Sequence, residues 1–234
     1  TDQGGSLVVG EQVVVNNALG ACVYSEGDLT VHGGIFKNGK SYGIQAYDGT
    51  MHIEYKGNQK DGAIEIQNTN GAGLYARSDK DIHISDVHVD TTGTNALYVA
   101  TSEQGTGELV VSDCVFENTK GNSISAIKKV SLKNVTVKNA GDASLYCRPT
   151  SDIVIENFTS LNSTTWGVQV VGGSLSGSGL YVEKAGYHCM KTVQGSGTSA
   201  KVNLTNVAMK GAQGNNLNIQ IASKKFGRKG LIWP

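Results

Sequence analysis

The sequence predicts an all-β chain wound as a single parallel β-helix of about nine coils, each built from three short strands. Three observations predict it. Short runs of period-two alternation recur along the whole chain. Asn, Asp or Gly interrupts them at fixed phases, and apolar residues keep one column from coil to coil.

The unit is plainest from Val130 to Asn139. Val130 and Leu132 alternate with Ser131 and Lys133, Asn134 interrupts, and Val135 and Val137 alternate with Thr136 and Lys138. Alternation marks half-buried strands. A lone Asn between them marks a one-residue bend, because Asn enters the left-handed region at little cost. The third strand follows at Leu145-Tyr-Cys147, and the next coil restarts at Ile153.

In chain order, coils 1 to 9 open with the inward residues Leu7, Leu29, Met51, Ile82, Leu109, Val130, Ile153, Leu175 and Val202. Most intervals are 21 to 23 residues; that from Met51 to Ile82 is 31, and those ending at Leu109 and Val202 are 27. Four residues on, a bend column reads Glu11, Gly33, Asp86, Asp113, Asn134, Asn157, Gly179 and Asn206, with coil 3 interrupted there. Nine residues on, a second column reads Asn16, Asn38, Asn68, Thr91, Asn118, Asn139, Asn162, Lys184 and Gly211. The third strand is expected to open inward with Cys22, Ile44, Leu74, Leu97, Ile124, Leu145, Val168, Met190 and Leu217. A β-sandwich with regular turns would not hold one residue type at one phase through nine repeats.

Residues 1–221 are thus read as one β-helix domain, a rod about 43 Å long at one strand spacing per coil. Residues 222–234 are read as a tail, with Phe226, Leu231, Ile232 and Trp233 placed to fold over the last coil. The few residues before Leu7 cap the first coil poorly, so end-to-end or parent-protein contacts are expected at open ends. Three longer segments, residues 55–63, 100–107 and 192–200, break the repeat. In solenoids such insertions commonly border the working face.

Twenty basic residues balance twenty acidic ones, which excludes a global field for nucleic acid or an anionic membrane. The four positive charges of the tail are too few to change that. No apolar run approaches the ~20 residues of a membrane helix. The chain starts at Thr1 without an initiator Met, which reads as a processed or excised chain and points to export. The expected location is extracellular or at a cell surface. Cys114 and Cys147 are assigned inward phases, as is Cys22, and Cys189 a small-residue position. Most pairings among them are out of disulfide reach, so free core thiols, and a bacterial or phage origin, are expected.

Ile153-Val-Ile-Glu-Asn-Phe-Thr-Ser-Leu-Asn162, followed by Trp166-Gly-Val-Gln-Val170, resembles the right-handed parallel β-helix repeats of the pectate lyase-like superfamily. The resemblance runs from Leu7 to about Ile221. It implies a right-handed coil, and it implies little about activity, since that superfamily holds polysaccharide lyases, hydrolases, epimerases, phage tailspikes and adhesins. It also implies that the third strand of each coil is the one whose outer face commonly carries a saccharide groove.

The outward positions of that strand carry Gln45, Tyr47, Tyr75, Arg77, Tyr98, Tyr146, Arg148, Gln169 and Lys191, with Tyr42, Trp166 and His188 just before it. Flat rings offer apolar area to the C–H face of a sugar, while Arg, Gln and phenol groups reach hydroxyls or carboxylates. The expected partner is a polysaccharide or cell-surface glycan, bound by a carbohydrate-recognition or adhesin-type module. A Tyr ladder that only supports the sheet is the bland alternative, making the chain a spacer of a larger surface or tail protein.

Catalysis finds less support. Two-carboxylate hydrolysis needs acids ~5–9.5 Å apart, and Asp48, Asp79, Glu103 and Asp142 lie only in flanking loops. Arg148-Pro149 resembles the catalytic Arg of superfamily lyases, which would make Arg148 and Lys191 the catalytic candidates of a lyase, but the acidic Ca²⁺ cluster is missing. No cofactor is required by this reading, which leaves room for Ca²⁺ or Zn²⁺. Zn²⁺ is the ion considered for a separate group on the first strand, where His52 and His83 share one outward phase and His32 and Glu54 the next.

Overall fold

Each inward residue that opens a coil pairs in parallel with its counterpart one coil on. The computed structural model describes residues 5–57, 63–100, 105–127, 129–194 and 199–219. In it Leu7 pairs with Leu29, Leu29 with Met51, Met51 with Ile82 and Ile82 with Leu109. The same column continues through Val130, Ile153, Leu175 and Val202. The strands stack as a parallel β-solenoid of about nine turns, and no helix occurs among the described residues.

First and second strands of all coils share one sheet, while the third strands form a second, nine-stranded sheet in coil order. From coil 6 onward the first two strands run on as one: Lys129–Ala140, Asp152–Leu161, Ser174–Glu183 and Lys201–Lys210. One left-handed residue makes the bend there, as Asp86 (56°) and Asp113 (54°) do in coils 4 and 5, where the strands stay separate. Asn134, Asn157, Gly179 and Asn206 are single residues with φ of 52°, 59°, 75° and 53°, which turn the chain while pairing continues on both sides.

Side chains from the three strands meet inside. Phe36, Phe116 and Phe158 come from the second strands, and Ile44, Leu74, Leu97, Ile124 and Leu145 from the third; all are fully buried. Each such burial is worth ~1.5–3 kcal/mol. The third-strand sheet presses closely on the second strands. A Cβ at Gly73 would stand 2.4 Å from Val89 Cγ1, and one at Gly167 2.2 Å from Val182 Cγ1. Thr69, Thr92 and Thr119 stack inward at the turn before the third strand, donating to the carbonyls of Gly71, Thr94 and Gly121.

Coil 1 departs from the expected phase by one residue. Val9 pairs with Val31, but Val14 pairs with Ile35, so the first bend is one residue longer than the second. Everything after it in coil 1 shifts. Asn17, not Asn16, takes the left-handed angle (61°), and Val23, not Cys22, is the buried partner of Ile44. Cys22 is only half-buried, its thiol 3.6 Å from the Lys37 carbonyl. In coil 2 the left-handed angle belongs to Gly34 (121°) rather than Gly33.

All four cysteines are free, and Cys114, Cys147 and Cys189 are buried. Burial pushes the Cys114 thiol up to about 12 and raises that of Cys147 as well, so both behave as apolar core atoms. Leu19, at the first end, and Leu217 and Ile219, at the last, are exposed. The tail at 222–234 lies outside the described residues, as do residues 58–62, 101–104 and 195–198 of the three insertions.

The Asn columns form hydrogen-bonded ladders. Asn139 Nδ2 donates to Asn118 Oδ1 at 2.9 Å, and Asn162 Nδ2 to Asn139 Oδ1 at 3.3 Å. The second ladder runs from Asn157 to Asn134 (3.0 Å) and on to Asp113 (2.8 Å). Thr91 breaks the first ladder: it holds φ of 58° with a β-branched side chain, and Asn118 donates to Asp90 instead. Strain of this kind costs on the order of 1–3 kcal/mol. Thr91→Asn should therefore relieve strain and restore a rung, raising the melting temperature by roughly 2–4 °C. Asn139→Ala, which loses two rungs at a left-handed position, should destabilise by about 2 kcal/mol. Thermal denaturation of both variants checks this; an unchanged or lower melting point for Thr91→Asn contradicts it.

Candidate functional site

The third-strand sheet presents one outward column that the register fixes residue by residue. Tyr24 pairs with Gln45, Gln45 with Tyr75, Tyr75 with Tyr98, Tyr98 with Ser125 and Ser125 with Tyr146. Tyr146 then pairs with Gln169, Gln169 with Lys191 and Lys191 with Asn218. A second column, two residues on, pairs Tyr47 with Arg77 and Arg77 with Ala100. Alternation places these side chains outward because Ile44, Leu74, Leu97 and Leu145 must point in.

Most of the rings touch. Tyr75 and Tyr98 are stacked, with centroids 5.6 Å apart and planes inclined by 11°. Tyr42 packs on Tyr75 from before the strand at 4.7 Å, and Tyr47 on Tyr75 at 5.8 Å. Tyr24 continues the row, 6.0 Å from Tyr47. Gln45 Nε2 donates to the Tyr47 hydroxyl at 2.8 Å, fixing that ring. At the other end Arg148 Nη1 donates to the Tyr98 hydroxyl at 3.2 Å, its guanidinium carbon 5.6 Å from the ring centroid. Arg148 belongs to coil 6 and Tyr98 to coil 4, so its side chain crosses coil 5, where the column holds only the small, buried Ser125.

Tyr146 and Gln169 lie in the same column but separate this cluster from a smaller one. There the Lys191 ammonium sits 4.6 Å from the Trp166 ring centroid, and the exposed Tyr187 lies 6.4 Å from Trp166. The structure therefore brings Gln45, Tyr47, Tyr75, Tyr98 and Arg148 into one contiguous patch, with Arg77 beside it in register. Trp166 and Lys191 form a second patch on the same sheet.

Sequence reasoning missed two residues of this face. Tyr24 escaped because the extra residue in the first bend shifted its phase; the alternation Val23-Tyr24-Ser25 carried the signal. Tyr187 precedes its strand in a turn, where alternation gives no phase.

On the first-strand face His52 and His83 are paired in register, with ring centroids 6.1 Å apart. His52 Nε2 lies 3.1 Å from Glu54 Oε2, and Lys56 Nζ lies 2.6 Å from the same oxygen. Lys56, then His52, holds the Glu54 carboxyl below its usual range. His32 stands on the preceding coil with a buried, unpartnered Nδ1. Among the described residues no three His, Cys, Asp or Glu side chains are arranged around one metal position. On the second-strand face His88 lies between Glu65 (3.0 Å) and Glu117 (3.2 Å).

Compared with known proteins, the chain matches no family model, no curated protein and no solved structure.

Burial first, and the neighbouring Tyr47 next, push the Tyr75 phenol above the usual tyrosine range. A raised phenol favours the neutral form in the fold. Its stabilisation is complete below about pH 10, the unfolded value, and is lost as pH rises through the folded value. Tyrosinate absorbance should show a high-titrating component that Tyr75→Phe removes. Loss of an ordinary component alone would contradict the packing described.

Proposed function

We propose that this chain is an exported, pectate lyase-like β-helix module that recognises a polysaccharide or cell-surface glycan along its third-strand face. The observation that carries the reading is the unbroken row Tyr24, Tyr47, Tyr75, Tyr98 and Arg148. Every ring in it touches the next, and the row follows the solenoid axis, as an extended polymer would. Tyrosines place apolar area and a hydroxyl side by side, which suits a sugar ring with its alternating C–H and O–H surfaces. Tyr187 and Trp166 extend the aromatic surface to the later coils.

Recognition fits better than turnover. Arg148 and Lys191, the catalytic candidates, are each held against an aromatic ring and stand two coils apart. Their backbones are about 10 Å apart and Arg148 reaches away from Lys191 toward coil 4, which suits two contacts along a polymer rather than two groups on one reacting carbon.

A glycan array probed with the unaltered protein and with Tyr75→Ala/Tyr98→Ala tests the reading. The unaltered chain should retain at least one polysaccharide, and the double variant should bind it at least tenfold more weakly, since truncated central aromatics often cost 2 kcal/mol or more. Equal retention of both proteins, or no retention of any glycan, would instead mean that the ladder only supports the sheet.

A further inference from the structure

Charge on the other faces is largely matched across coils. Lys129, Lys133, Lys138 and Lys210 each sit against a carboxylate of a neighbouring coil: Glu108, Glu156, Glu117 and Glu183. The aromatic face differs. From coil 2 to coil 8 the outward positions of the third strand carry Arg77, Arg148 and Lys191 and no Asp or Glu. None of these three cations makes an ion pair among the described residues. Glu26, at the coil 1 end, is engaged by the Tyr24 hydroxyl.

Two of the cations flank the same stretch of this face. Arg148 reaches back to the Tyr98 ring, and Arg77 lies one coil from that ring in the adjacent column, opposite Ala100. Between them the second outward column holds Ala100 and the half-buried Ile127, and the first column holds the small Ser125. Two guanidinium groups on one stretch of sheet, with no carboxylate at the outward strand positions between them, repel each other. An anion seated there would offset that repulsion and find the bidentate donors that guanidinium groups offer. Lys191 stands about 10 Å farther along the axis than the Arg148 backbone, so a polymer with repeated charges meets a second cation.

We infer that the glycan is anionic, bearing carboxylate or sulfate groups, and that one such group is met by Arg77 and Arg148 on the stretch of sheet that carries Ala100, Ser125 and Ile127. This rests on the glycan-binding reading above. Net charge is zero and the cations number three, which favours a charged saccharide over a nucleic acid that would demand a longer basic track.

Calorimetric titration with alginate, dextran sulfate, neutral dextran and oligothymidylate tests it. At low salt one or both anionic glycans should bind at least tenfold more tightly than dextran, and the preference should shrink as added salt screens the charges. Arg77→Gln and Arg148→Gln should each weaken anionic binding about tenfold, and weaken any dextran binding by less. Lys191→Gln, which does not touch the Tyr98 row, should weaken it less. The inference is overturned if dextran binds as tightly as the anionic glycans, if oligothymidylate binds more tightly than both, or if the arginine variants bind like the unaltered protein. If none of the four polymers binds, the charged-glycan inference falls. Tight dextran binding that survives the arginine variants but not Tyr75→Ala/Tyr98→Ala would overturn the charge assignment while leaving glycan recognition standing.

Discussion

Parallel pairing between successive coils is the constraint on which everything else depends. Backbone N–H and C=O groups of one coil find their partners in the next, about 4.8 Å away. A buried strand cannot slip by a single residue, because a slip would turn its apolar side chains outward. Residues that are 20 to 30 positions apart in sequence, such as Tyr75 and Tyr98, therefore become neighbours whose relative orientation is set by backbone geometry. The inward Phe and Ile columns, the Asn ladders and the outward Tyr row are three consequences of that single repeat.

The repeat also explains how a face can be specialised without disturbing the fold. Inward positions are committed to the core and bend positions to left-handed residues, but outward positions are free to vary. On the first two strands that freedom is used for cross-coil ion pairs, such as Lys138 with Glu117. On the third it is used for stacked rings and cations without carboxylates, with stacking worth ~0.5–1.5 kcal/mol per pair. Arg148 shows how a local sequence choice shapes the surface: its reach to Tyr98 passes a position where coil 5 holds Ser125 instead of another Tyr.

Much of this was legible in the sequence because alternation and bend residues are local signals with a fixed phase. The inward opening column from Leu7 to Val202 and the third-strand column from Ile44 to Leu217 follow from it directly. Coil 1 was misread from Asn16 onward because a bend one residue longer leaves no mark of its own, and with it went Tyr24. The fusion of first and second strands in coils 6 to 9 was not legible either, since it depends on whether pairing survives the bend. For the site, adjacency along a column could be read, but ring contacts from outside the column could not. Tyr42 against Tyr75 and Tyr187 against Trp166 arise from turns, where side-chain direction is set by three-dimensional packing. The adjacency of His52 and His83 was legible from their shared phase, but Glu54 bridging His52 and Lys56 is a matter of rotamers that no pattern records.

The claim at the centre is that residues one coil apart in the third-strand column stand side by side. Disulfide trapping measures this directly, since a bond forms only when Cα atoms are within about 7 Å. On a Cys22→Ser background, Tyr75→Cys/Tyr98→Cys should cross-link under mild oxidation, whereas Tyr75→Cys/Tyr146→Cys, three coils apart, should remain reduced. Equal cross-linking of the two pairs, or trapping of the distant pair alone, would contradict the stacked column and every surface built on it.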